Sequence, residues 1–529
     1  HKLNTNEEVT LVENTYDDLG RIKSSKRHGN SALTTDYTYN VRSWIKTLTT
    51  DTLFNQTLHY NDSYGGSRVC YNGNISAMSW KAAGDTGVHG YRFSYDEMSR
   101  LTAAGYLWNG SPSANYDTSY TYNRQSNLTS LRRNGRTGAS SYGLIDDLTL
   151  TLDGNWLTRV DDAATASAYN NGFEFKDAVK QDNEYTYDKN GNMTKDLNKN
   201  ITDIQYNCLN SPSKVTFQDG STITYTYAVN GTKLRTVHTI SNTTSTTDYC
   251  GNVIYENGVQ KLLLTDAGHV TLSDKKYHYY LQDHQGNNRV VVDQTGQKEE
   301  VNHYYPFGGT FASADNSIQP YKYNGKELDT KNGLNWYDYG ARQYDVAIGR
   351  WNAVDPMAEK YYNWSPYSYC MSNPIKYIDP SGQTVVIWYK NDSGQTVSYS
   401  YSGGNVAHPN PFVQSVITAY QYNKANGVKV GNGGGASTVK IVENADIKVN
   451  VMETPLEVTY NPYAARGAGC IYWKSDWGLQ NENGTVTSPA TDFDHEAAHA
   501  LEHKTNAQEY EVNRVRGNVR NTILKKKEG

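Results

Sequence analysis

From residue 1 to about residue 300, aromatic residues recur two positions apart and are usually followed by an Asp, Asn or Gly cluster. The clearest copy is Tyr185-Thr186-Tyr187-Asp188-Lys189-Asn190-Gly191-Asn192-Met193-Thr194. Others are Thr15-Tyr16-Asp17-Asp18-Leu19-Gly20-Arg21, Tyr37-Thr38-Tyr39-Asn40, Phe93-Ser94-Tyr95-Asp96, Tyr120-Thr121-Tyr122-Asn123, Tyr225-Thr226-Tyr227 and Tyr277-His278-Tyr279. Side chains two apart lie on one face of a strand, and the Asp/Asn/Gly cluster supplies the turn into the next one. The closest copies, Tyr187, Tyr206 and Tyr227, stand about twenty residues apart, which predicts one hairpin per repeat in an array.

Composition sharpens this picture. The 45 Tyr against 13 Pro, together with 44 Gly, favour half-buried strands joined by tight turns. At 529 residues the chain is long enough for several domains. A net charge of -5 argues against general nucleic-acid binding. There is no apolar run long enough for a transmembrane helix. Cys70, Cys208, Cys250, Cys370 and Cys470 form no CxxC pair and read as scattered, reduced small hydrophobes, suiting synthesis in a cytoplasm. The start at His1-Lys2-Leu3, with no initiator methionine or signal peptide, reads as the C-terminal part of a longer protein.

The Tyr-Asp element with its Gly-Asn turn resembles the YD repeat of the Rhs family. That resemblance implies a mostly β fold, a long YD-repeat β-sheet spiralling into a hollow shell over residues 1–276. The next stretch, 277–383, resembles the Rhs repeat-associated core that plugs one end of such a shell. It contains Tyr279-Tyr280-Leu281-Gln282-Asp283-His284-Gln285-Gly286-Asn287, Tyr305-Pro306-Phe307-Gly308, Tyr323-Asn324-Gly325-Lys326-Glu327-Leu328-Asp329 and Leu334-Asn335-Trp336-Tyr337-Asp338-Tyr339-Gly340-Ala341-Arg342-Gln343-Tyr344-Asp345. It continues through Gly349-Arg350-Trp351 and Asp355-Pro356 to Ile378-Asp379-Pro380-Ser381-Gly382. In self-cleaving members of that family two Asp-Pro motifs bring a pair of carboxylates together and the chain is cut just after the second. The resemblance thus implies Asp355 and Asp379 as an acid and base pair, with cleavage near Gly382 or Gln383. The first motif here is Asp355-Pro356-Met357-Ala358, with Ala where the cleaving pattern has Gly, and both Asp-Pro pairs read equally as plain turns.

After Gly382 the pattern changes. Thr384–Tyr389 reads as a strand, 411–426 as a helix, and 438–442, 447–452 and 456–460 as further strands. Ala465 to Cys470 reads as a glycine-containing loop. Ser488-Pro489 then marks a helix start, with Asp492 and Asp494 placing negative charge in its opening turns. That helix carries His495-Glu496-Ala497-Ala498-His499. One helical turn separates the two histidines, so both can grip one Zn²⁺, and Glu496 stands where it can take the proton of the attacking water. Residues 384–529 therefore read as a small α+β zincin-like C-terminal domain.

Downstream, Glu509 opens a second predicted helix and is the first choice for a third ligand. Glu511 is the second choice, pointing about 200° away on that helix. Glu502, His503 and Cys470 are weaker candidates. The pairing of a short HExxH helix with a Glu-led, Asn- and Arg-rich helix resembles gluzincin-type effector peptidases, the toxin tips of bacterial delivery proteins. The resemblances together imply a polymorphic toxin with an encapsulated zinc metallopeptidase, secreted or delivered from the cell surface. They also imply a cognate immunity protein, a secretion machine and a protein substrate as partners. Two alternatives remain: a non-enzymatic surface or adhesion array, and a tip of different chemistry such as a nuclease.

Overall fold

In a computed structural model the described residues are 1, 8–312, 318–356, 358 and 364–379, with the backbone of five strands inside 385–473. The chain divides into two compact units, His1–Gly382 and Gln383–Gly529. The first holds a thirteen-stranded sheet from Val12–Tyr16 to Trp156–Asp162 and a second of thirteen strands from Tyr185–Tyr187 to Lys298–Val301. Strands follow one another in chain order through both sheets, apart from Ser111–Pro112, which pairs only with Leu101–Trp108. The second sheet runs through residue 277 without a break, because Lys276–Gln282 is one of its strands.

One turn design repeats along both sheets. Asp17, Asn40, Asp96, Asn123, Asp188 and Asn207 each use a single side-chain oxygen to accept backbone N–H groups two and four residues on, at 2.9–3.0 Å. The residue three after each is left-handed: Gly20, Ser43, Ser99, Ser126, Gly191 and Asn210, with φ between 57° and 79°. Glycine and asparagine tolerate that region, whereas serine is strained there. Each serine hydroxyl is engaged from a neighbouring repeat: Arg21 donates to Ser43, Arg100 to Ser126 and Asn72 to Ser99, at 3.1–3.3 Å.

At several repeats the tyrosine preceding the turn ties its hairpin to the one before. Tyr39 donates its hydroxyl to the carbonyl of Ile22, Tyr122 to that of Leu101 and Tyr206 to that of Met193, at 2.6–2.8 Å. Each acceptor is the first residue after the preceding turn, and the strand register slips by one residue at each tyrosine. This explains why the repeat uses Tyr: the ring packs and the hydroxyl satisfies a carbonyl that the bulge leaves out of the ladder. Arg21 and Arg100 stack on the tyrosine of the following repeat, 4.5 Å from the Tyr39 ring centroid and 4.9 Å from that of Tyr122.

The four-stranded sheet of Glu327–Asp329, Trp336–Asp338, Gln343–Asp345 and Arg350–Trp351 forms an aromatic knot. Trp336, Tyr337, Tyr344 and Tyr369 are buried, and Tyr344 stacks on Tyr369 with centroids 4.0 Å apart. Charged anchors join this knot to both large sheets. Arg133, paired with Asp146 at 2.8 Å in the first sheet, donates to the Ala347 carbonyl; Lys233 in the second meets Glu327 at 2.8 Å and Asp338 at 2.5 Å.

In the second unit, Val385–Lys390, Thr396–Tyr401, Asn450–Glu453, Thr459–Asn461 and Cys470–Trp473 form a mixed five-stranded sheet. Thr396–Tyr401, absent from the sequence reading, alternates hydroxyl with apolar or aromatic residues as a strand should. Cys470 opens a strand instead of closing a loop, since Ile471, Tyr472 and Trp473 carry strand propensity onward from it. Residues 411–426, 438–442 and 489–504, where further elements were expected, lie outside the described residues, as do most of 447–460. Among the described residues no helix is long and apolar enough to cross a membrane.

Replacing Tyr206 by Phe removes one clasp and leaves the Met193 carbonyl without its donor, which should cost about 1–2 kcal/mol and lower the thermal midpoint. Tyr227 occupies the same repeat position, but its buried hydroxyl has no hydrogen-bond partner. Tyr227→Phe should leave the midpoint unchanged or raise it, and calorimetry of the two variants side by side checks the pair.

Candidate functional site

Asp355 and Asp379 follow the aromatic knot in sequence, and both turn back onto it. Their carboxylates converge on one nitrogen of Arg342, which lies 3.0 Å from Asp355 Oδ2 and 2.9 Å from Asp379 Oδ2. Arg342 is buried and lies flat against Trp351, 4.1 Å from the ring centroid. A buried guanidinium needs counter-charge, and these two acids supply it. Its second terminal nitrogen donates to the Pro366 carbonyl at 3.4 Å. The Asp355 N–H donates to the same carbonyl, fixing the backbone that carries the first carboxylate.

Two further groups feel Asp379. Burial pushes the Lys326 ammonium down, opposed by Asp338 and Asp379, and burial pushes the Cys370 thiol up, with Asp379 adding to it. The site is therefore a pair of carboxylates in a largely aromatic pocket, with one buried cation between them and a second nearby. Arg342 is the shared counter-charge that brings the two carboxylates together.

The sequence named both acids but passed over Arg342, although it stood inside a quoted motif. Two Asp-Pro acids following an aromatic-rich segment need a cation, and Arg342, Arg350, Lys322 and Lys326 were the choices; Arg350 instead serves Asn127 in the first sheet. The peptide after Asp379, residues 380–384, lies outside the described residues, as do His495, Glu496, His499, Glu509, Glu511, Glu502 and His503. Among the described residues a different set of metal-type atoms gathers: Asp85, His89 and His303 bring ligand atoms within 4.8 Å of one another. Its histidines stand more than two hundred residues apart in the sequence, so no sequence spacing announced it.

No family model matches the chain. It is 30% identical over 239 residues to salivary gland surface protein 1 of Aedes aegypti, covering 40% of this chain and 7% of that protein. It is 34% identical over 109 residues to toxin subunit YenC2 of Yersinia entomophaga, covering 20% of this chain and 11% of the relative. With tRNA nuclease WapA of Bacillus subtilis it shares 28% identity over 221 residues, 39% of this chain and 9% of the nuclease. The chain thus spans a small fraction of each curated relative. The crystal structure of TcdB2-TccC3 without its hypervariable C-terminal region superposes with a TM-score of 0.52 at 19% identity, over 72% of this chain and 20% of that one. Over that part of the chain the fold is therefore shared with that structure.

Arg342→Met should destabilise the first unit. It would leave two carboxylates facing each other, each about a fifth exposed (23% and 20%), so water recovers part of the loss and the cost should be about 2–3 kcal/mol. Asp355→Asn alone should cost less, because Asp379 still balances the guanidinium; chemical denaturation of both variants measures the order.

Proposed function

We propose that this chain is a toxin of Rhs type, in which repeat sheets and an aromatic plug hold a C-terminal effector that the plug cuts free. The convergence of Asp355 and Asp379 on Arg342 is the observation that supports the reading, since it brings two carboxylates together shortly before Gly382, and the reading assigns one as acid and the other as base. In the cut, one carboxylate takes a proton from water, the water oxygen bonds to the peptide carbonyl carbon, and the other carboxyl protonates the leaving amide nitrogen. In this reading Arg342 is a positioning residue that holds the two carboxyl groups side by side. Similarity to toxin subunit YenC2 supports the toxin class. By the same reading, other toxin components, a secretion machine and a cognate immunity protein are the partners, and the protein is delivered outside the producing cell.

For the effector we propose a zinc-dependent peptidase. The donor set of two imidazoles, His495 and His499, and one carboxylate, Glu509, is that of a catalytic zinc site. Zinc would supply a Lewis acid that polarises the peptide carbonyl and acidifies water. Glu496 would accept the proton of the attacking water and return it to the leaving amine of a protein substrate. Similarity to WapA supports a second reading, a nuclease tip.

Two experiments test this. Purified wild-type chain should separate into two fragments meeting near residue 382 by mass spectrometry, whereas Asp379→Asn and Asp355→Asn chains stay whole; cleavage in either variant sinks the plug chemistry. Cells expressing the chain should be poisoned, and Glu496→Ala should abolish poisoning while zinc content is unchanged. Persisting toxicity with degraded tRNA would favour the nuclease.

A further inference from the structure

Asp85 sits in the turn between strands Ala77–Ala82 and His89–Tyr95 of the first sheet, and His303 opens the segment 303–311 that follows the second sheet. That segment folds on itself, with the Phe311 N–H donating to the His303 carbonyl, and packs into the first sheet, where Phe311 stacks on Tyr116 at 3.8 Å and Tyr305 donates to the Asn134 carbonyl. His303 fixes its entry. Trp80 Nε1 lies 3.0 Å from His303 Nδ1, and His303 Nε2 lies 3.3 Å from Asp85 Oδ1. On the other side of the carboxylate, His89 Nε2 lies 3.4 Å from Asp85 Oδ2, which also accepts the Ala82 N–H at 2.7 Å.

The indole N–H can only donate, so His303 Nδ1 must be a bare acceptor. Its single proton is then on Nε2, aimed at Asp85. Two consequences follow from this forced tautomer. A metal held on His303 Nε2 would need the proton on Nδ1, opposite the Trp80 donor, so three ligand-type groups at metal-like spacing do not make a metal site here. A second proton on His303 would have to go to Nδ1 as well, and would break the Trp80 bond.

We propose that Trp80, His303, Asp85 and His89 form an acid-labile latch that fastens segment 303–311 to the first sheet. The surroundings agree with it. Around His303 stand Asp85 from the turn, His89 from its strand with ring centroids 4.3 Å apart, and Arg289 from Asn288–Asp293, whose guanidinium covers Trp80 at 4.7 Å and pairs with Asp283 at 3.6 Å. Tyr106 lies beyond His89, its hydroxyl 2.6 Å from Nδ1. Burial, then His89 and Arg289, push the His303 imidazole down to about 4, against the pull of Asp85. A cavity of about 470 Å³ lined by Asp85, His89, His303, Trp108 and Tyr142 adjoins the latch.

The sign is definite. The unfolded imidazole binds a proton near 6.5 and the folded one near 4, so the latch contribution is complete above 6.5 and is lost as pH falls toward 4. Between pH 7.5 and 4.5 this one group should reduce the folding constant roughly a hundredfold. The Asp85 carboxylate, held down by its two histidines, remains charged throughout that window.

The test compares the whole chain with His303→Gln, whose carbonyl can still accept from Trp80 but which does not titrate. Thermal midpoints across pH 4.5–7.5 should fall more steeply for wild type than for the variant, the two curves converging at the acid end. Parallel curves overturn the latch. Zinc added at pH 7 should bind wild type and His303→Gln in equal amount; a site lost specifically in the variant would mean that the tautomer argument is wrong and that the cluster is a metal centre.

Discussion

A tight hairpin turn leaves backbone N–H groups that the strand ladder cannot reach, and one Asp or Asn oxygen at each turn takes two of them at once. The left-handed residue three positions later follows from that capture, and the strand bulge lies on its flank. A carbonyl left out by the bulge then becomes the acceptor for the tyrosine of the next repeat. Turn, bulge and clasp are thus one linked solution to backbone hydrogen bonding, repeated along both sheets. The strand residues between these turns bury an apolar face as well, with Leu131, Val160, Ile201, Val215 and Ile223 packed in the core.

The interior of the aromatic knot is managed differently. Aromatic rings fill it, but their hydroxyls and the acids between them require partners in a place where water is scarce. Cations in and beside the knot supply some of them: Arg133 of the first sheet, paired with Asp146, Lys233 of the second sheet on Glu327 and Asp338, and Arg342 on Asp355 and Asp379. Each cation but Arg133 gathers two carboxylates, and each joins segments remote in sequence. Removing a partner strands a buried charge, so the loss of either member is felt in stability.

How much could be read from the chain depended on whether a feature was local. Tyr187-Asp188 with Gly191 announces its turn within five residues, so hairpin, face and spacing were legible in advance. Asp355 and Asp379 carried a motif and were named, but their meeting at Arg342 depends on how residues 342, 355 and 379 fold together, which no spacing reports. The Asp85, His89 and His303 cluster was invisible for the same reason, spanning more than two hundred residues. Cys470 was misplaced because the glycines before it dominated the reading over the Ile-Tyr-Trp run after it. The zincin residues form a local pattern, and their reading rests on that pattern alone.

The clasp also has a direction. Tyr39, Tyr122 and Tyr206 all reach toward the hairpin synthesised earlier, never the one still to come. A chain leaving the ribosome can therefore lock each hairpin onto an acceptor that is already in place, without waiting for downstream sequence. Growth of the sheet becomes vectorial, like a zip drawn from the N-terminal side.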